Sequence, residues 1–153
     1  METDRHELVE HDRNGLEVLG RAECLRLLNR VTLGRVAITV GALPALLPIN
    51  FRLVDDRIVF RTSGGTKLDA ATRNAVVAFE VDDMEPVSHT GWSVMVTGVA
   101  REVTDPAELD ALASANIPRW APDEGERVVE ITTEMISGRR IGPAPWPISG
   151  RVG

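Results

Sequence analysis

The chain has 153 residues, 43% hydrophobic and 26% charged, with a net charge of −6. This is the size and balance of one soluble globular domain with a real core, and without a long basic run a broad nucleic-acid-binding face is excluded. The single cysteine, Cys24, rules out an internal disulfide and points to a cytoplasmic protein, while no apolar run nears the ~20 residues of a membrane span.

Residues 1–14 read as a flexible lead, dense in charge and without the apolar core of a signal peptide. Over residues 16–29 apolar positions recur at about 3.6, which predicts a helix weakened at Gly20. Cys24 falls there among Ala22, Leu25 and Leu28 and reads as a buried apolar residue. Residues 35–40 are β-branched and predict a strand, 41–44 a turn and 46–54 a second strand. Pro48 cannot donate to a ladder, so that strand lies at an edge or carries a bulge. Asp55-Asp56 turns the chain into a third strand, 57–62, and the three are expected to form a meander.

A short helix is predicted over 67–74 and a central apolar strand over 75–81. Residues 82–90, polar and holding Pro86, read as a loop. Residues 92–103 form a long strand with Trp92, Val94, Val96, Gly98 and Ala100 on one face. Asp105 as N-cap and Pro106 in the first turn open a helix to about residue 115. Residues 118–125 are a loop, and 127–133 are the last main strand, which 134–136 can extend. Residues 142–153 are a Pro-rich tail. About six antiparallel strands, joined by turns too short for parallel crossovers, make 15–141 a mostly-β domain with short helices, a closed or split barrel.

Phosphate chemistry concentrates in Phe60-Arg-Thr-Ser-Gly-Gly-Thr-Lys-Leu68. A strand ends in a small polar loop and opens into a helix whose first N–H groups lack partners, so hydroxyls, glycine backbone and one cation meet there. A Gly-Gly turn with a capping threonine has the same local pattern, and both readings stay open here. His6, His11 and His89 have no companions at metal-ligand spacing. No nucleophile elbow, dinucleotide fingerprint or P-loop occurs, and Asp55-Asp56 and Asp82-Asp83 are turn carboxylates. No catalytic or metal residue is assigned.

Gly34-Arg35-Val36-Ala37, Leu47-Pro48-Ile49-Asn50-Phe51, Phe60-Arg61-Thr62, Gly65-Thr66-Lys67-Leu68, Phe79-Glu80-Val81-Asp82, Gly91-Trp92-Ser93-Val94 and Gly138-Arg139-Arg140 are specific in their order and spacing. Together they resemble the pyridoxamine 5′-phosphate oxidase-like, FMN-binding split-barrel family, over about residues 16–141, and most of all its small bacterial branch. The resemblance implies an antiparallel, Greek-key-like split β-barrel that forms a homodimer with FMN in two grooves between the subunits. By position, Pro48, Ile49 and Asn50 would run beside the isoalloxazine, largely through backbone groups. Thr62 and Ser63 would face the ribityl chain or phosphate, Thr66 and Lys67 would hold the phosphate, and Trp92 and Ser93 would close the site. Structural roles stay open for Lys67 as a solvated helix residue, Trp92 as a core or interface aromatic and Asn50 as a strand-edge partner. Arg35 is expected to pair with Glu80 or Asp82.

The chain departs from the biosynthetic oxidase. It has no tyrosine, its 105–114 segment has no arginine, and the double basic pair of the phosphate loop is reduced to Lys67. Vitamin B6 oxidation is therefore not expected. The implied activity is hydride transfer between a flavin and a small substrate such as a quinone, nitro compound, flavin or deazaflavin. The deazaflavin F420 is the alternative cofactor. The rival readings are a non-catalytic flavin or heme binding or storage protein and a barrel used only for protein interaction.

Overall fold

Period-two alternation governs most of the chain. The computed structural model describes residues 9–118 and 125–142. Residues 1–8 of the expected lead, 119–124 of the expected loop and the tail from 143 lie outside the described residues. The elements are β1 Glu17–Leu19, α1 Arg21–Leu28, β2 Leu33–Val40, β3 Leu43–Asn50, β4 Arg52–Val54, β5 Arg57–Ser63, α2 Lys67–Ala71, β6 Ala75–Glu85, β7 Thr90–Glu102, α3 Pro106–Ala113, β8 Glu126–Ile131 and β9 Met135–Ile141. One antiparallel sheet runs β3-β2-β6-β7-β8-β5-β4, with β9 beside β7 and β1 on β9. It curls until residues of β3 and β5 line a shared gap, which makes it a split barrel.

The inner face is filled by Phe51, Phe60, Phe79, Ile58, Val36, Val94 and Ile131, all fully buried, each worth about 1.5–3 kcal/mol of transfer free energy. Phe51 and Phe79 meet edge to face, with ring centroids 4.8 Å apart at 75°. Cys24 is buried in this core, as expected from its place in the sequence.

Four sequence expectations change. The helix over 16–29 shortens to α1, because Glu17, Val18 and Leu19 pair with Arg140, Arg139 and Gly138, and Gly20 takes an extended conformation as the N-cap. The strand over 46–54 breaks at Phe51, whose ring enters the core and whose N–H donates to the Thr32 carbonyl at 2.9 Å. The meander therefore does not form: β2–β3 and β4–β5 are separate hairpins at the two ends of the strand order. The loop over 82–90 contracts to a turn, because Asp82–Glu85 pair with Thr90–Ser93. Within the expected lead, Asp12 accepts the N–H groups of Asn14 and Leu16 and pairs with Arg139 at 3.1 Å.

The extension of the last strand is a bulged continuation. β7 pairs with β9 through Thr97↔Met135 and with β8 from Ala100↔Ile131, so three residues face two between them. Val99 N–H donates to Thr132 Oγ1 at 3.0 Å there. A Cβ on Gly98 would run into the Thr132 carbonyl, so only glycine allows this approach. The bulge bends one strand so that its first half reaches β5 and its second half reaches β1.

Pro48 does lie on an edge strand, β3. Asp105 caps α3 by accepting the Ala107 N–H at 3.3 Å. Arg35 pairs with Glu80 at 3.4 Å and Asp82 at 3.7 Å.

Glu80 is pushed up to about 7, first by burial and then by the hydrogen bond and charge of Asp82, against the pull of Arg35. A carboxylic acid raised in the folded state holds its proton there after the unfolded chain has lost it. This contribution to stability is therefore fullest below pH 4.5 and falls as pH rises to 7. The group is about one-third exposed, and screening reduces the effect to on the order of 1 kcal/mol. Urea unfolding at pH 5 and pH 8 should show this fall in the native chain and a flatter response in Glu80→Gln. Equal pH slopes in the two proteins would remove the effect.

Candidate functional site

The gap between the sheet ends holds a cleft of about 320 Å³, lined from β3 by Pro48, Ile49 and Asn50 and from β5 by Arg61, Thr62 and Ser63. Thr66, Leu68 and Pro118 complete it. This volume is in the range of small-molecule sites. β3 is an edge strand, so among the described residues one side of its backbone has no ladder partner. Ile49 is anchored in the core, which fixes the strand at the cleft wall.

The loop from Ser63 to Thr66 is held by its own hydrogen bonds. Thr66 Oγ1 donates to the Ser63 carbonyl at 2.9 Å and accepts from Asp69 N–H at 3.1 Å. Asp69 Oδ2 in turn accepts from Gly65 N–H at 3.0 Å. Gly65 sits at φ +78, the left-handed region that suits glycine. Gly64 N–H donates to the Gly125 carbonyl at 2.8 Å, which ties the loop to the start of β8. Thr62 is buried, with its hydroxyl 3.3 Å from that of Thr66.

Asp69 lies beneath this loop, 3% exposed. Burial alone would raise its pKa. Arg73, the Gly65 N–H and Arg127 overcome that and hold the carboxyl below its ordinary value. Arg73 stands at 3.0 Å and Arg127 at 3.3 Å. Arg61 is committed too, at 2.7 Å from Glu126. Lys67 is exposed and, among the described residues, has no ion pair. With the Gly64 and Gly65 N–H groups spent within the fold, the loop offers hydroxyls and one uncommitted ammonium at its mouth.

Six of the expected site residues meet in this cleft: Pro48, Ile49, Asn50, Thr62, Ser63 and Thr66. Lys67 follows them at the start of α2 and does not line the wall. Trp92 and Ser93 are outside it: on β7, Trp92 stands between Asp83 and Arg140, and Ser93 between Asp82 and Arg139. Sequence reasoning missed Arg61, Leu68 and Pro118 as lining residues and Asp69 as support. Thr66-x-x-Asp69 has capping-box spacing, and that signal could have revealed the aspartate.

The family profile described as Pyridoxamine 5′-phosphate oxidase matches residues 20–140. The uncharacterized protein Rv0080 of Mycobacterium tuberculosis is 42% identical over 128 residues, covering 80% of this chain and 84% of its own length. Among solved structures, the FAD binding protein from Mycobacterium smegmatis is similar with a TM-score of 0.73 and 39% identity, over 82% of this chain and 99% of that one. A candidate pyridoxamine 5′-phosphate oxidase from Corynebacterium glutamicum has a TM-score of 0.71 and 26% identity, over 84% of this chain and 95% of that one. No described helix is long and apolar enough to cross a membrane.

Proposed function

Because the chain belongs to the pyridoxamine 5′-phosphate oxidase family, we propose that it binds a flavin nucleotide and works as an oxidoreductase on a small substrate. The observation that carries this is the cleft, where an edge strand and a hydroxyl-rich loop face each other. A flat ring suits the Pro48–Asn50 side, and a polyol phosphate suits Thr62, Ser63, Thr66 and Lys67.

FMN ends in a phosphate monoester with nearly two negative charges, and the pyrophosphate bridge of FAD carries about two in total, so charge does not separate the two. Asp69 is answered by Arg73 and Arg127, which leaves Lys67 as the uncommitted cation beside the loop for either phosphate group. The name of the M. smegmatis relative supports FAD in particular, so FAD is placed ahead of FMN and F420.

When bound, the flavin supplies hydride transfer. The residues of the chain bind and orient it. Ile49 anchors the wall, the threonine and serine hydroxyls meet the polyol, and Lys67 meets phosphate. Among the described residues Arg61 is the one ionisable lining group and is spent on Glu126, so no side chain is assigned as acid or base.

Dimerisation belongs to the same proposal. The exposed apolar residues Leu46, Val76, Met95, Val99 and Met135 lie on β3, β6, β7 and β9 and would be covered by a second copy. Trp92 and Ser93 would then serve the other subunit's cleft. Vitamin B6 oxidation is not proposed, and the cytosol is the proposed compartment.

The test is a visible spectrum after incubation with FAD, FMN, F420 or heme and extensive washing. A retained flavin band is expected, strongest with FAD. Retention of heme alone, or of nothing, would overturn the reading. Lys67→Ala should weaken flavin-nucleotide binding by about 1–3 kcal/mol, the scale of a hydrogen bond to a charged group. An unchanged Kd by fluorescence titration would remove Lys67 from the phosphate seat.

A further inference from the structure

A second cleft, of about 330 Å³, lies between α3 and the β4–β5 hairpin and shares no lining residue with the first. Val54, Val59 and Leu112 give it an apolar wall. Its charged lining groups are Asp55, Arg57, Glu108 and Glu130.

Most of these charges are already committed to one another. Glu130 is buried, with its side chain 5% exposed, and takes Arg57 at 3.0 Å and Arg101 at 2.6 Å. Arg101 also reaches Glu108 at 3.3 Å. Two carboxylates, Glu108 and Glu130, thus answer two guanidiniums, and among the described residues the charge of Asp55 is left over. Asp55 is the lining carboxylate without an ion pair among the described residues. It sits on the tight turn between β4 and β5 at φ 48.

We propose that this cleft binds a small organic monocation with an apolar body, such as an aliphatic primary amine. The ammonium meets Asp55 and the hydrocarbon lies on Val54, Val59 and Leu112. A carboxylic acid of the same shape adds to the excess negative charge, because Arg57 already serves Glu130. A neutral alcohol leaves Asp55 unanswered. The proposal is independent of the flavin reading, since the two clefts have separate walls.

Hexylamine, hexanol and hexanoate serve as probes in calorimetric titrations of the full chain at low salt. Hexylamine is expected to bind, with hexanol and hexanoate at least tenfold weaker. Asp55→Asn keeps a residue type that tolerates positive φ and should weaken hexylamine by roughly tenfold or more, the scale of a charge-assisted hydrogen bond. Ala111→Trp, placed on the exposed flank of α3 that lines the cleft, should abolish binding by filling the space. Circular dichroism and urea unfolding verify that both variants are folded. Absence of hexylamine binding, equal binding of hexanol, or an undiminished affinity in folded Asp55→Asn would each overturn the proposal.

Discussion

Asp69→Ala is expected to lower stability by about 3–5 kcal/mol in urea unfolding, because it breaks a buried ion-pair cluster from one side. The carboxylate is 3% exposed and serves Arg73, Arg127 and the Gly65 N–H together. Removing it leaves Arg73 without its carboxylate and Arg127 with Glu102 alone, and frees the loop that carries Ser63 and Thr66. Flavin retention should fall with it. Asp69→Asn keeps an acceptor for Gly65 and should cost less. The pH sense is opposite to that of Glu80. The pKa of Asp69 is depressed in the fold, so its contribution is present above the unfolded carboxyl pKa and is lost as pH falls through the folded value. A loss below about 1 kcal/mol for the alanine variant would show that the cluster is not held by this carboxylate.

Phe51→Ala is the other large effect, with an expected loss of about 3–5 kcal/mol for a buried aromatic ring. The ring is fully buried against Phe79 and sits where the chain leaves β3 for β4. That position adds a functional consequence, because Asn50 on the cleft wall immediately precedes it. Phe51→Leu fills much of the space and should keep most of the stability. Thermal and urea unfolding of both variants check this; an alanine variant as stable as the leucine variant would contradict the packing role.

Local chemistry was the part of this molecule most legible in its sequence. β-Branching gave β2, a continuous apolar run gave β6, alternation gave β7, the paired aspartates gave the β4–β5 turn, and Asp105-Pro106 gave the start of α3. Strand order was not legible, since the break at Phe51 depends on where that ring can be buried. Leu16 and Leu19 fit a helical period, yet Gly20 ends one element and starts another. Within the site, the loop from Thr62 to Lys67 announced itself by composition. The opposing wall came from a resemblance, and its distance from the loop is set by the curl of the sheet. Asp69 was hidden because a carboxylate under a candidate phosphate seat looks unfavourable until its two arginines are seen.

The bulge opposite Gly98 has a consequence for how the barrel comes apart. Since β8 and β9 are one bent strand on the same side of β7, each end is stitched into a different neighbour. Peeling that strand from β5 drags on its grip on β1, and loosening the N-terminal segment drags back. The two halves of the barrel are thus mechanically geared through a single ribbon, and a fragment that kept only one half would lack the seam that closes it.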